Sequence, residues 1–327
     1  MDKTSSGPAQ RARKVRIAYS TTHGRMFQGQ AEDVLHDSRF QSWKGKVQLI
    51  FTSPPFPLQR EKSYGNRTGD SYSEWLASFA KIWTEYLTAD GSIVVEVGNG
   101  WNSGTPTMST TSLKALLAFQ EAAGLHLCQE FICFNPARLP SPAEWVTVRR
   151  VRVKDSFTRV WWMSPTPNPK ADNRKVLTDY SESMRKLLSR GTYNGGKRPS
   201  QHNVGHQSFL TNNGGAIPPN VLVPPGSDEP PLEVLPISNT ASRDRFRRLC
   251  KELDLDLHPA VMPELLVEFF VNFLTDQGDV VMDPFAGSNT TGSVAQRLER
   301  RWLAIEASDS YADSSRLRFE PELKAAG

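Results

Sequence analysis

Hydrophobic positions in the first half of the chain alternate between continuous runs typical of buried strands and spacings typical of helices. The pattern predicts strands over Lys46–Thr52 and Ser92–Val97, with a turn at residues 89–91 before the second. Apolar residues three and four positions apart predict helices over Ser73–Leu87 and Leu113–Ala123. Strand and helix alternation of this kind predicts an α/β fold with parallel strands.

The same alternation returns near the end of the chain. It predicts helices over Pro263–Leu274 and Thr290–Arg301, and strands over Asp279–Asp283 and Trp302–Glu306. The simplest architecture is therefore one α/β domain assembled from both ends of the chain.

The chain between these two regions has a different composition. Residues 164–257 are rich in Asn, Pro, Gly, Ser, Lys and Arg, and residues 218–236 contain seven prolines, which predicts an extended loop. The predicted division of the chain is a disordered basic lead (1–16), a first half of the α/β domain (17–163), an irregular module (164–257), a second half of the domain (258–310) and a C-terminal tail (311–327).

Composition excludes several classes of protein. The 327 residues include no run near the roughly 20 apolar residues of a membrane span. The polar first residues exclude a secretory signal, so we expect an intracellular, cytoplasmic protein. Three cysteines suit neither a disulfide framework nor a zinc site, and we expect no bound metal. The net charge of +4 is informative only through the clustering of its cations.

A turn of small residues follows one predicted strand and opens a helix. This segment, Asp283–Gly292, lets a ligand approach the backbone, and the helix offers free N–H groups. Glu306 ends the next strand, where an acid commonly binds ribose hydroxyls. A nicotinamide site is disfavoured because the pattern is not G-x-G-x-x-G; an ordinary tight turn is the other interpretation.

A second turn, Ser53-Pro54-Pro55-Phe56, follows another strand and must open onto the same edge of the sheet. Its prolines fix the backbone, so that the Ser53 hydroxyl and a carbonyl face outward as acceptors beside the Phe56 ring. That arrangement suits a planar ring that bears an amino group. A simple strand-ending turn is the alternative.

Together the two motifs resemble the S-adenosylmethionine-dependent amino methyltransferases of DNA. The catalytic motif precedes the cofactor motif, the permuted order of the beta group. Further segments resemble its cytosine-N4 members, so that the similarity spans roughly residues 20–306: these are residues 135–145, 151–155, 161–162, 166–171, 215–220 and 258–260. The resemblance implies a Rossmann-like methyltransferase sheet with helices on both faces and a target-recognition module over residues 164–257. Residues 223–236 look like an insertion relative to the similar cytosine-N4 enzyme.

The resemblance also implies roles for particular residues. Ser53 and the Pro54 carbonyl would accept hydrogen bonds from the target amine, Pro55 would shape the turn, and Phe56 would stack on the base. Glu96 would orient Ser53 or take a proton, unless it is only a structural acid. The implied cofactor-binding residues are Gln30, His258, Asp283, Pro284, Phe285, Ala286, Gly287, Ser288, Asn289, Thr290 and Glu306. Gln30 replaces the acid usual in the family. Asn289 replaces a common glycine, although Asn tolerates a left-handed turn. A core histidine is the alternative for His258.

The implied substrate is duplex DNA, which requires positive charge on the protein. The expected DNA-binding residues are Arg149, Arg150, Arg152, Lys154, Lys170, Arg174, Lys175, Lys197 and Arg198. The resemblance implies a palindromic target, CAGCTG, a cognate restriction endonuclease as a functional partner, and a prokaryotic, nucleoid-associated location.

The expected activity is methylation of cytosine N4. Methylation at cytosine carbon 5 is excluded because no cysteine follows a proline. Adenine-N6 methylation is disfavoured by Ser53, since the adenine enzymes carry Asp or Asn at that position. A non-catalytic DNA-binding protein and a nicotinamide dehydrogenase are the remaining alternatives.

Overall fold

A single mixed β-sheet forms the centre of the protein. The structure is a computed structural model and describes residues 15–56, 69–135, 138–197, 199–201, 203–205, 207, 209–222 and 241–319. Across these residues the strands of the sheet are β1 (Arg16–Ser20), β2 (Gly24–Gln28), β3 (Val47–Thr52), β4 (Leu87–Gly98), β5 (His126–Phe134), β6 (Phe157–Ser164), β7 (Val221–Leu222), β8 (Val280–Asp283) and β9 (Arg301–Glu306).

The strand order is β1-β2-β9-β8-β3-β4-β6-β5-β7. The five central strands, from β2 to β4, run parallel to one another. Strand β1 is antiparallel to β2, β6 is antiparallel to both β4 and β5, and β7 is parallel to β5. The predicted parallel sheet is thus confirmed for its centre. Strands β3 and β8, which carry the two motifs, are neighbours.

Helices cover both faces of the sheet. Within the described part of the chain they are α1 (Ala31–His36), α2 (Ser38–Gln41), α3 (Asp70–Tyr86), α4 (Thr111–Ala122), α5 (Glu182–Arg190), α6 (Ala241–Glu252), α7 (Glu264–Leu274), α8 (Thr290–Arg297) and α9 (Asp309–Ser315). Short turns of other helical types occupy Glu144–Val148, Asn173–Val176 and Arg316–Phe319. Two small hairpins pair Gly100–Trp101 with Met108–Ser109 and Gly196–Lys197 with Asn203–Val204. No helix among the described residues is long and apolar enough to cross a membrane.

The alternation of side chains along β3 explains the two layers. Ile50 joins a hydrophobic cluster that includes residues of α1, α3 and α4, and so does Val47, which precedes a register shift between Val47 and Leu49. Leu49 and Phe51 join a second cluster with residues of α7 and α8. Because successive residues of a strand point to opposite faces, one continuously apolar strand packs against both helical layers.

Several predicted boundaries differ from the structure. Residues 89–91, predicted as a turn, lie within β4, where the register jumps from the Val47–Leu87 pair to the Leu49–Ser92 pair. The intervening residues therefore bulge out of the ladder without ending the strand. Helix α8 ends at Arg297, earlier than predicted.

Three of the predicted divisions of the chain also differ from the structure. Arg16, assigned to a disordered lead, opens β1 and forms an ion pair with Asp309; the rest of the lead is outside the described residues, apart from Val15. In the predicted tail, Phe319 is buried and stacks on Trp302 with ring centroids 5.0 Å apart, so the fold continues to at least residue 319. Strand β7 of the predicted recognition module joins the main sheet, and the 223–236 insertion lies outside the described residues. The other divisions stay predictions.

Candidate active site

The two predicted motifs meet at the carboxyl edge of the sheet. The Thr52 hydroxyl at the end of β3 donates to Oδ1 of Asp283 over 2.7 Å, and the Thr291 hydroxyl donates to Oδ2 over the same distance. The backbone N–H of Phe285 also donates to Oδ1. Burial nevertheless raises the pKa of Asp283 to about 6, because the hydrogen bonds only partly offset the loss of hydration. A shared buried carboxylate thus ties the two turns together.

Ser53 is bonded to Glu96, the acid that the sequence placed on the next strand. Glu96 is buried in β4 and accepts hydrogen bonds from Ser53 and, over 2.7 Å, from the Thr158 hydroxyl of β6. Burial raises the pKa of Glu96, while the two hydroxyl donors and the charge of Arg138 act in the opposite direction. Because Ser53 donates its proton to Glu96, the lone pairs of the Ser53 oxygen are left to accept a bond from a ligand.

Gly98 supports the ring of Phe56. A Cβ atom at position 98 would lie 2.5 Å from the ring, so only glycine lets the aromatic side chain lie against the end of β4. Pro54 is buried, whereas Ser53, Pro55 and Phe56 are half-buried. The turn therefore presents its polar and aromatic groups at the surface on a rigid base. Both Gly98 and Thr158 were missed by the sequence analysis. Gly98 could have been found, because a glycine that directly follows a predicted strand indicates close packing, but no sequence pattern marks Thr158.

The turn after β8 has the tight conformation that the sequence predicted. Gly287 has φ +52° and Asn289 has φ +53° and ψ +44°, a left-handed conformation that Asn accepts at low cost. The Asn289 side chain caps α8 by accepting from the N–H of Gly292 over 3.0 Å. Its amide donates to the hydroxyl of Tyr19, a buried residue that sequence reasoning missed. Asn289 thus serves as a glycine-like turn residue and as a cap.

Glu306 closes the other side of this turn. Its two carboxylate oxygens accept 2.8 Å hydrogen bonds from the backbone N–H groups of Gly287 and Ser308. Burial raises the pKa of Glu306, and the charge of Asp283 acts in the same direction. The Glu306 carbonyl accepts from Gly29, which brings the exposed Gln30 to the same edge. Each carboxylate oxygen keeps a lone pair with which to bind a hydroxyl group.

His258 lies against the glycine turn. Its ring is near enough to Gly287 that a Cβ there would lie 3.1 Å away, and it meets Tyr311 edge-on with a centroid separation of 4.7 Å. The ring nitrogen Nδ1 is hydrogen-bonded to Ala260. His258 is half-buried at the rim of the site, so it is not the core histidine that the sequence left open.

Three neighbouring residues of the turn are directed toward the protein. The Phe285 ring packs against Trp75, Phe79 and Trp83, so its side chain anchors the turn in the core. The Ser288 carbonyl and hydroxyl accept hydrogen bonds from Arg318, and the Ala286 N–H bonds to the backbone of β9. Ala286 and Pro284 are buried. Arg318 is a supporting residue that sequence reasoning missed, because it lies in the predicted tail.

Two observations indicate that the turn can hold an adenosyl ligand. The left-handed Gly287 keeps open a cradle that a side chain would fill against His258. The Thr290 hydroxyl, at the first position of α8, is buried and has no partner among the described residues, as expected of a group that awaits a ligand. Glu306 adds an acceptor for hydroxyl groups, and Gln30 supplies an exposed amide nearby. No cluster of metal-binding side chains occurs within the described ranges.

The predicted DNA-binding cations fall into three groups. Arg149, Arg150, Arg152 and Lys154 lie between β5 and β6, at the catalytic edge. Lys197 is exposed in a small hairpin, and Arg198 lies outside the described residues.

The third group lies at the opposite edge of the sheet. Lys170 contacts Asp276 and Asp279, and Lys175 contacts Asp276, just before β8 begins. Asp279 is therefore at the amino end of the strand whose carboxyl end carries the site. Arg174 is bonded to Asp172. These cations are neutralised by acids at the edge opposite the active site, so the structure argues against their role as contacts to the target DNA.

Comparisons with known proteins agree with this geometry. A family model described as DNA methylase, N6_N4_Mtase, matches residues 47–316. The type II methyltransferase M.PvuII of Proteus hauseri is 41% identical over 304 residues, which cover 92% of this chain and 85% of the relative.

Solved structures show the same fold. The PvuII DNA methyltransferase, described as cytosine-N4-specific, matches with a TM-score of 0.69 and 35% identity over 93% of this chain and 88% of that one. A Thermus thermophilus protein in complex with S-adenosyl-L-methionine shares the fold, with a TM-score of 0.52 and 17% identity over 90% of this chain and 92% of that one.

The family model, the relative and the shared fold identify an S-adenosylmethionine-dependent DNA methyltransferase, which confirms the predicted class and cofactor. The chain belongs to the DNA methylase family of N6 and N4 methyltransferases.

Proposed function

We propose that this protein transfers a methyl group from S-adenosyl-L-methionine to the exocyclic N4 amine of a cytosine extruded from duplex DNA. The observation that carries the proposal is the bond between Ser53 and the buried Glu96, beside the turn that fits the cofactor. The similarity to M.PvuII supports N4 over N6, as does serine at position 53.

Ser53 acts on the amine through its oxygen. The cytosine N4 lone pair is delocalised into the ring, so the amine is a poor nucleophile. Acceptors on its hydrogens favour a pyramidal nitrogen and stabilise the positive charge that develops as the nitrogen attacks. The Ser53 oxygen is free to accept because its proton is given to Glu96, and the Pro54 carbonyl is the second acceptor in the same turn.

Phe56 holds the extracted base. The target amine is paired and stacked within the duplex, so the base must leave the helix to reach Ser53. The Phe56 ring, supported from behind by Gly98, offers a flat apolar surface on which the pyrimidine stacks.

When bound, S-adenosyl-L-methionine supplies an electrophilic methyl group on a sulfonium. As the N4–methyl bond forms, the nitrogen gives up a proton. We assign its transfer to Ser53 and then to the Glu96 carboxylate, whose pKa is raised by burial so that it binds a proton more readily than an ordinary glutamate. No covalent bond to the enzyme is needed.

The cofactor residues divide into two roles. Glu306 binds the ribose hydroxyls, and the backbone of the turn from Gly287 to Thr290 approaches the ligand closely, with Gln30 and His258 at the rim. Asp283, Phe285 and Ser288 hold the turn in place through their contacts with the protein.

Target choice is assigned to the region from 164 to 257, which is polar and basic. Arg149, Arg150 and Lys154, at the catalytic edge, bind phosphates. We further propose a short palindromic site, CAGCTG by analogy with the relative, and a cognate restriction endonuclease from which methylation protects the DNA. A chromosomal substrate locates the enzyme at the nucleoid of a prokaryote.

The test is methylation of random-sequence duplex DNA, followed by sequencing that distinguishes N4-methylcytosine from N6-methyladenine. N4-methylcytosine at one short motif is the expected result. N6-methyladenine, or no transfer to DNA by enzyme that binds S-adenosyl-L-methionine, contradicts the proposal. A different motif contradicts only the CAGCTG assignment.

A further inference from the structure

Three exposed valines lie close together in the sequence at the catalytic edge. Val148, Val151 and Val153 are 68%, 62% and 84% exposed, in the segment that joins β5 to β6. Together these three valines make up the valine tip. Several large apolar side chains exposed in one short segment indicate a candidate interaction site.

The valine tip is held in place. The Val151 N–H donates to the Trp145 carbonyl over 3.0 Å. Arg152, between the two most C-terminal valines, turns inward: its guanidinium lies 3.1 Å from the centre of the Trp101 ring and donates to the Ser141 carbonyl over 2.8 Å. Val151 and Val153 are therefore presented outward on a fixed base, which lowers the entropic cost of inserting them into a partner.

The base of the same segment is joined to the target-base turn. Asp155 accepts from Asn99 over 2.9 Å and from Arg138 over 3.0 Å. Asn99 directly follows Gly98, the residue against which the Phe56 ring packs. The valine tip and the ring that stacks on the base thus extend from adjoining parts of one edge.

The charges beside the valine tip select its partner. Arg149, Arg150 and Lys154 are exposed next to the valines, and the ion pair of Arg149 with Glu144 is open to solvent. Apolar side chains among cations suit a partner with a charged exterior and an apolar interior. Duplex DNA is such a partner, with phosphates outside and stacked bases inside, and proteins unstack base steps with apolar wedges of this kind.

We propose that the valine tip enters the stack of the target duplex and fills the space left by the extruded cytosine, while the flanking cations bind the adjacent phosphates. The inference rests on the proposed function, which requires extrusion of the base. It adds the residues that stabilise the extruded state: without them the vacated space fills with water or collapses, and the base returns to the helix.

The test compares two substrates that differ in the cost of extrusion. Both are duplexes carrying the motif found with random DNA, and one has an abasic site opposite the target cytosine. Loss of the pairing partner makes extrusion easier. The variant is Val151→Ser with Val153→Ser. The control is Leu117→Ser, which changes a 48% exposed residue of α4.

On the intact duplex the double variant is expected to lose at least about tenfold in kcat/KM, equivalent to about 1.4 kcal/mol of barrier. On the abasic duplex the kcat/KM of the double variant should come within about threefold of the wild type, because the missing pairing partner removes most of the cost of extrusion. Leu117→Ser should match the wild type on both, and all variants should keep the wild-type affinity for S-adenosyl-L-methionine.

Equal losses on the two duplexes, or no loss on the intact one, overturn the inference while wild-type activity upholds the proposed function. Loss of self-association without an effect on DNA would instead assign the valine tip to a second copy of the chain. A wild-type enzyme that methylates neither duplex overturns the proposed function itself. If the double variant does not fold, Val153→Ser alone is subject to the same criteria.

Discussion

The Thr52 hydroxyl donates a 2.7 Å hydrogen bond to the carboxylate of Asp283, a residue 231 positions away in the chain. Thr52 is directly followed by Ser53, the proposed acceptor for the target amine. Asp283 begins the turn that fits the cofactor and also accepts from Thr291 in α8. One buried carboxylate therefore fixes the spacing between the methyl donor and the methyl acceptor, which is the quantity that an in-line transfer depends on.

Asp283→Asn should change how stability depends on pH. The pKa of Asp283 is about 6 in the folded protein and ordinarily 3.8, so the folded state binds more protons between these values. The contribution of Asp283 to the stability of the wild type should accordingly be greatest below about pH 4, fall as the pH rises through about 6 and then stay level, and the Asn variant should lack this contribution. Two pKa units at about 1.4 kcal/mol each amount to about 3 kcal/mol.

Denaturant unfolding of both proteins from about pH 4 to about pH 8 measures this effect. Glu96 and Glu306 also have raised pKa values, but they are present in both proteins, so the difference between the two curves isolates Asp283. Parallel curves would show that Asp283 is not the group that titrates.

Ser53→Ala should slow methyl transfer by about 100-fold, the effect of losing one preorganised group at the reacting centre. Affinity for S-adenosyl-L-methionine should stay near that of the wild type, because Ser53 lies on a different strand end from the glycine turn. Single-turnover kinetics and calorimetry provide the two readouts. Thr158→Val, which removes the other hydroxyl bonded to Glu96, should have a smaller effect on the rate. A parallel loss of rate and cofactor affinity in Ser53→Ala would contradict the assignment.

Glu96→Gln tests proton uptake. The amide keeps an acceptor for Ser53 and the size of the side chain, but it cannot take a proton at neutral pH. In the wild type the transfer rate should rise with pH as Glu96 ionises, through a pKa that burial has raised. Glu96→Gln should be slower and should lack this rise in a single-turnover pH profile. A variant that keeps the rise would leave Glu96 with a structural role only.

Gly287→Leu should abolish binding of S-adenosyl-L-methionine while the protein still binds DNA. The backbone there has φ +52°, and a Cβ would lie 3.1 Å from the His258 ring, so a large side chain occupies the cradle. Gly45→Leu is the matched control, since Gly45 also has a positive φ, +71°, but nothing within 4 Å of a Cβ. Calorimetry of both variants separates backbone strain from a filled site. Equal cofactor affinity in Gly287→Leu and the wild type would exclude close approach at this turn.

Arg149→Gln and Lys175→Gln should differ in their effect on DNA binding. Arg149 is exposed at the catalytic edge, and its 3.6 Å ion pair with Glu144 is open to solvent, so removing one phosphate contact should reduce the slope of log affinity against log salt by about one. Lys175 is paired with Asp276 at the opposite edge, so its replacement should leave the slope unchanged. Fluorescence anisotropy at several salt concentrations measures both slopes. A reduced slope in Lys175→Gln would return that lysine to the DNA interface.

The sequence by itself determined the local elements of this site. Ser53-Pro54-Pro55-Phe56 and the turn after Asp283 were predictable because proline, glycine and asparagine restrict or permit particular backbone angles whatever surrounds them. Apolar runs such as Lys46–Thr52 predicted strands for the same local reason. Since parallel strands end at a common edge, the meeting of the two motifs followed from the α/β class.

Only the tertiary structure decided which long-range partners complete the site and which cations face it. Lys170 and Asp279 are 109 positions apart, and Arg318 and Ser288 are 30 apart. Cations of the same chemistry lie at opposite edges of the sheet, some beside the acids that precede β8 and some beside the valine tip. The sequence gives the charge of each residue but not the edge of the sheet at which it lies. Whether a cation is solvated, forms an ion pair or contacts DNA depends on which side chains the completed fold brings within a few ångströms of it.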